Sequence, residues 1–201
     1  MAIHITGLDE ADQILTDNPF ALLAGMMLDQ QYPMEHAFRG PAKVTERLGG
    51  FDPREIAAAE PEAFAALCST TPAIHRFPGS MAARLQELAR LVVAQYDGQT
   101  ERLWTEATDG KDLMKRVQAL PGFGAQKAKI FVALLAKQLD VRKDGWEKLV
   151  GDYALDGYRS VADVVDPASL QKVRDFKKEK KAAAKTAAQT ATETAATPSA
   201  G

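Results

Sequence analysis

Leu120-Pro121-Gly122-Phe123-Gly124-Ala125-Gln126-Lys127-Ala128 is the stretch around which the rest of the chain is organised. A helical period leads into it through Leu113, Val117 and Leu120. Another leaves it through Ile130, Phe131, Leu134, Leu135 and Leu139. Pro121 turns the residue before it away from helical dihedrals, so the first helix ends there. Gly122 and Gly124 admit backbone conformations that other residues resist. The stretch therefore predicts two helices joined by a tight turn. Gly124 offers no capping side chain, so the first N–H groups of the second helix need an outside acceptor. The helix dipole, Lys127 and Lys129 all favour an anion at this end. Two readings stand side by side: a clamp on a nucleic-acid phosphate, and a glycine-turned hairpin capped by water. No strand precedes the glycines and the Walker spacing is absent, which argues against a nucleotide-binding P-loop or Rossmann turn.

The 201 residues suffice for one medium or two-lobed domain with a sizeable core. No apolar run is long enough to span a membrane. The opening Met-Ala-Ile-His has no signal-peptide pattern, so a cytoplasmic location is expected. The single cysteine, Cys68, excludes an internal disulfide and a cysteine zinc site. It sits in Phe64-Ala65-Ala66-Leu67-Cys68 and is read as core filler. Net charge is −2, unevenly spread: from Gln171 onward seven Lys or Arg face three acids, leaving about −6 on the preceding 170 residues. A phosphate-binding surface on that body must be a local patch rather than a global field.

Periodicity predicts helices over 9–16, 20–31, 34–48, 53–58, 61–68 and 81–96, with a structured loop over 69–80 and a short helix around Trp104. After the hairpin a helix restarts at Trp146, a short one covers 161–165, and Ser169 caps the last. No stretch alternates as a strand does, so the class is all-α. From about Lys185 the composition cannot bury a core and disorder is expected. The lysines of this tail are read either as sequence-independent nucleic-acid contacts or as a solubilising segment.

Leu-Pro-Gly-Phe-Gly, followed by Lys127-Ala128 and an apolar helix, resembles the helix-hairpin-helix of the HhH-GPD base-excision DNA glycosylases. That superfamily includes endonuclease III, the adenine glycosylase and the alkyladenine glycosylases. Leu28-Asp29-Gln30-Gln31 is similar to the Gln-rich end of the family's early helix, and Glu62 through Cys68 to Arg84 and Leu91 resembles its middle helices. The resemblance covers most of the fold-bearing chain. It implies a domain over 1–175 made of two helical lobes with a cleft between them. The central lobe would run over about 20–134, and the second would combine 1–19 with 135–175. A disordered Lys/Ala/Thr-rich tail, 176–201, would follow.

In that family the hairpin binds DNA phosphates through backbone amides, often with a monovalent cation. The resemblance thus implies DNA contacts at Pro121, Gly122, Phe123, Gly124, Gln126 and Lys127, and a monovalent cation at the turn. It also places Gln30 and Gln31 against DNA, where a Gln side chain fills the gap left by a flipped base; a solvated helix end is the plainer reading. Base excision breaks the C1′–N bond through a cation-like sugar and needs a carboxylate beside it, with a pocket for the extruded base. The family's carboxylate is an Asp after the second hairpin helix, which eighteen residues beyond Gln126 is Asp144. Asp144 reads equally as a helix cap or a surface charge, with Asp29 and Glu35 as alternative carboxylates.

Gln126 stands where bifunctional members keep a nucleophilic Lys, and an amide forms no Schiff base. Lys127 lies about 100° further round the helix. The resemblance therefore implies a monofunctional hydrolase with no lyase step. Tyr32 and Phe77 either stack on a base or anchor their loops. Trp104 and Trp146 read as core. His36 and His75 are too isolated for a metal site, and one cysteine excludes the four-cysteine iron–sulfur cluster of endonuclease III. The expected partner is double-stranded DNA and the expected state a monomer. The alternative is a non-catalytic DNA-binding or partner-binding protein on the same fold.

Overall fold

A computed structural model describes residues 2–195, with side-chain surroundings as far as residue 186. In chain order the helices are α1 (Asp9–Asp17), α2 (Pro19–Leu28), α3 (Met34–Phe38), α4 (Gly40–Leu48), α5 (Pro53–Ala58), α6 (Pro61–Ser69), α7 (Pro78–Tyr96), α8 (Arg102–Thr105), α9 (Gly110–Gln118), α10 (Ala125–Gln138), α11 (Trp146–Val150) and α12 (Pro167–Ala195). Two 3-10 turns, Gly151–Ala154 and Val161–Asp163, precede α12. Among the described residues there is no strand, and the fold is all-α as the sequence predicts.

The helix starts follow from short-range chemistry. Asn18 accepts from the amides of Phe20 and Ala21 with Pro19 in the first turn of α2, and Asp52-Pro53 and Glu60-Pro61 repeat the device at α5 and α6. Asp109 caps α9 through the amide of Asp112. α2 is apolar all round, and every residue from Phe20 to Leu28 is buried. α1, α4 and α7 pack around it, with α5 and α6 on α7. α10 gathers α9, α11 and the Val161–Asp163 turn, and α12 packs against that turn.

The packing therefore divides the chain at α8. The sequence assigns residues 1–19 to the second lobe, whereas α1 packs on α2 and α4, with Ile3 and Ile5 buried beneath it. Four boundaries also shift. α2 stops at Leu28, because Asp29 leaves helical dihedrals and Gln31 takes φ 52° ahead of Pro33. The single helix predicted over 34–48 is two, since Pro41 has no N–H to offer the carbonyl of Ala37. α7 begins at Pro78, three residues early. Asp166 and Ser169 cap α12 together: the Ser169 amide donates to Asp166 Oδ1 (2.6 Å) and the Asp166 amide to Ser169 Oγ (2.9 Å).

α12 carries helix through Ala195, across much of the stretch assigned to the tail; residues 196–201 lie outside the described residues. Its Ala, Lys, Gln and Glu are good helix formers. Beyond Phe176 the described side chains, to Thr186, are exposed, so this part of the helix buries no core of its own.

Gly25 sets the spacing of α2 and α3, for a Cβ there would stand 2.5 Å from Phe38 Cδ1. Phe38 is itself fully buried. Gly25→Ala is expected to lower stability by roughly 1–3 kcal/mol, as overpacked cores do. Denaturant unfolding checks this, and an unchanged midpoint would mean that α3 yields freely.

Candidate nucleic-acid interface and catalytic cleft

The hairpin is held from inside. Phe123 is 5% exposed and packs edge-on against Phe131, with ring centroids 5.8 Å apart. Its amide donates to Leu120 O (3.1 Å). The Phe123 side chain is therefore an anchor of the turn. Gly122 has φ 81°, and a Cβ there would meet Arg84 Cδ at 2.9 Å and Met27 Cγ at 3.3 Å. It is glycine for both dihedral and space. Pro121 is half-buried beside it. Gly124 is different: its φ is −80°, and nothing lies within 4 Å of its missing Cβ. It is the N-cap of α10 and supplies no cap, so the amides that open α10 face outward beside an empty approach.

Lys127 also departs from expectation. Its Nζ donates to Met27 O (2.9 Å), in the last turn of α2, and it lies over the Phe123 ring. Burial pushes its pKa down to about 8, which Asp29 partly opposes and Arg84 reinforces. The residue staples the hairpin to α2 rather than reaching into solvent for phosphate. Gln30 is engaged at both ends: Nε2 donates to Met27 O (2.7 Å) and Oε1 accepts from Arg84 (2.9 Å). Its neighbour Gln31 is the exposed member of the pair, in a left-handed conformation unusual for a residue with a Cβ. Strain of that kind, on the order of 1–3 kcal/mol, clusters at ligand-contacting positions.

His75, which the sequence leaves without a role, ties this corner to the loop before α7. Its Nδ1 accepts from the Phe77 amide (3.1 Å), so Nε2 carries the proton and donates to Gln30 O (3.1 Å). Burial lowers its pKa despite the Gln30 carbonyl, which favours this neutral form. Tyr32 stacks on His75 at 4.6 Å and anchors the loop. Phe77 remains 49% exposed beneath the Arg76 guanidinium.

A cavity of about 680 Å³ opens where the start of α10 meets the end of α2, the Gly151–Ala154 turn and α12. Asp29, Gln126, Tyr153, Arg159, Lys177 and Lys180 line it with the Gly124–Lys127 backbone. Gln126 donates to Tyr153 OH (3.1 Å). Arg159 has a buried Nε with no hydrogen-bond partner among the described residues. Asp144 is not part of the lining. It is exposed in the turn before α11, and its carbonyl accepts from the Gly110 amide (2.9 Å). The N-cap of α11 is Gly145, with no side-chain cap, so the capping role read from the sequence is not what Asp144 does. Glu35 is buried and paired with Arg174: burial pushes its pKa up, but its own backbone amide, Arg174 and His36 bring it below the usual carboxylate range. Cys68 is fully buried with its thiol pushed up to about 12, an inert core residue. Trp104 and Trp146 are core residues too.

A helix-hairpin-helix with an open amide end beside a polar cleft is the architecture of a base-excision repair protein. Over residues 24–194 the chain matches the model for the HhH-GPD superfamily base excision DNA repair proteins, and it belongs to that superfamily. Its role is thus glycosylase-like, in DNA repair, with DNA as partner. Among curated proteins and among solved structures nothing matches it. No helix among the described residues is long and apolar enough to cross a membrane.

Two predictions come from this geometry. Gly124→Asp puts a carboxylate at the open end of α10 without a steric conflict, so the protein is expected to fold normally. It should lose roughly 1–3 kcal/mol of duplex affinity, the size of a charge-assisted contact. Equal affinity in a titration against the parent removes the clamp. For Lys127, the folded value of about 8 lies below its ordinary 10.5. Between those values the unfolded chain binds more protons, so this residue makes stability rise with pH from about 8 to 10.5 and leaves it level below 8. Relative to Lys127→Met, the parent should gain up to about 3 kcal/mol across that window. Denaturant unfolding at several pH values tests it, and parallel curves for the two proteins count against a buried ammonium.

Proposed function

We propose that the chain is a DNA N-glycosylase that hydrolyses the bond between a damaged or mispaired base and its sugar and leaves the strand intact. The observation that carries this reading is the position of the cavity. It joins the open amide end of α10, suited to a backbone phosphate, to a polar recess of the size that holds one extruded nucleotide. Arg159 Nε lacks an acceptor there, and a ligand oxygen or water would satisfy it. Gln126 directs an amide toward Tyr153 where bifunctional relatives hold an amine, and the Lys127 amine is committed to Met27 O. Neither supplies a free nucleophile, which supports hydrolysis without a lyase step.

The resemblance gives Asp144 as the carboxylate, and its place outside the cavity lining favours a second reading, a non-catalytic DNA-binding protein on the same fold. A monovalent cation at the turn fits the residues present: from Leu120 to Gly124 the only oxygens are neutral backbone carbonyls. Such a cation would be held by those carbonyls and would add positive charge beside the phosphate. The working species is a monomer on double-stranded DNA, without an iron–sulfur cluster.

The test is incubation with duplexes that each carry one altered base: an alkylated purine, uracil, an oxidised purine, or adenine opposite oxidised guanine. The expected result is release of one base, with strand breakage only after alkali and no adduct trapped by borohydride. An adduct on Lys127 would overturn the hydrolytic reading, and no release from any duplex would move the non-catalytic reading ahead.

A further inference from the structure

We propose that Asp29, and not Asp144, is the carboxylate that carries base excision; this rests on the glycosylase reading above. Asp29 follows the last turn of α2, with its amide bonded to Gly25 O (3.1 Å), so its Cα is fixed by the most deeply buried helix of the fold. Its side chain is 15% exposed, and the residue lines the cavity. It is the one acid in a lining whose other charged groups, Lys127, Arg159, Lys177 and Lys180, are all cations. The amide end of α10 belongs to the same cavity. A nucleotide whose phosphate takes those amides brings its sugar, about two or three bonds away, into the cavity that Asp29 lines.

Asp144 has no such placement. Its carbonyl is tied to Gly110, the first residue of α9, roughly 13 Å of helix from the hairpin end of that element. Glu35, the third acid named from the sequence, is occupied by Arg174. The contact of Asp29 with Lys177 is looser, 3.9 Å, and leaves carboxylate oxygens available to a ligand.

The step balances as a hydrolysis. The C1′–N bond breaks with both electrons leaving on the base, whose nitrogen takes a proton from solvent. The Asp29 carboxylate lies against the cationic sugar and accepts a proton from the water whose oxygen bonds to C1′. That proton returns to solvent, and the products are the free base and the abasic hemiacetal.

The experiment is single-turnover base release from the responsive duplex of the panel above, by the full chain. Asp29→Asn is expected to lower the rate by roughly 100-fold or more, with thermal midpoint and duplex affinity close to the parent's. In Asp29→Ala, added formate should restore part of the rate, a response that a purely structural role does not give. An active parent whose Asp29→Asn variant keeps its rate, or a collapse confined to Asp144→Asn, overturns the assignment. Failure of formate to rescue a folded Asp29→Ala also counts against it. A parent that releases nothing from any duplex removes the glycosylase reading itself, a result distinct from indifference to Asp29.

Discussion

The carbonyl oxygen of Met27 is the constraint on which the cleft depends. It belongs to the last turn of α2, where helix carbonyls have no partner within the helix, and it is surrounded by protein. Left unpaired it would cost about 1–3 kcal/mol. Two donors meet it, Gln30 Nε2 and Lys127 Nζ, one from the turn that follows and one from the second hairpin helix. The second is a charge-assisted bond across 100 residues of sequence. Met27 and Arg84 then leave Gly122 no room for a side chain, so hairpin and α2 close on each other at a fixed distance. That distance brings Asp29 and the start of α10 into the lining of one cavity.

Charge follows the same geometry. A body with about −6 over its first 170 residues does not attract a polyanion as a whole. The α12 cations are brought back onto the acidic corner, Arg174 to Glu35 and Lys177 to Asp29, while Lys172 lies against Tyr158. Lys178, Lys180 and Lys181 remain exposed, and Lys180 joins Arg159 at the cavity. Positive potential is thereby concentrated at the cleft and along one helix. A phosphate backbone recognises such an arrangement at short range, within a Debye length of about 8–10 Å. The cation of each of these pairs is itself solvent-accessible, so phosphates can compete for it.

What the sequence disclosed was local. The all-apolar α2, the Pro and Gly that make the hairpin, and the Asn18-Pro19, Asp52-Pro53 and Glu60-Pro61 starts all act within four residues, and each is legible. Pro41 was equally local, yet its effect was outweighed by a continuous helical period over 34–48. The rest depended on distant partners. Lys127 looks like a surface cation until Met27 is beside it. Gln30 looks free until Arg84 and Met27 take its amide. Nothing near His75 in sequence indicates Gln30, its partner 45 residues away. The membership of α1 in the first lobe rests on packing against α2 and α4, which no periodicity encodes. Asp29 was legible as an alternative carboxylate at a helix end, but the cavity it shares with the start of α10 was not.

A lysine with lowered basicity beside a reaction cavity would ordinarily suggest covalent catalysis. Lys127 meets one of the two requirements, since burial lowers its pKa to about 8 and leaves a fraction of the amine neutral near physiological pH. The other requirement is a lone pair directed at C1′. The amine is instead hydrogen-bonded to Met27 O, and reaching the sugar would break that bond and leave the carbonyl to Gln30 Nε2 alone. It would also unfasten the hairpin from α2, which holds the cavity walls in place. One position earlier, about 100° round the helix, where the resemblance puts the nucleophilic amine of bifunctional relatives, the side chain faces Tyr153 and is Gln126. On the hydrolytic reading proposed above, the nucleophile is then water activated by a carboxylate.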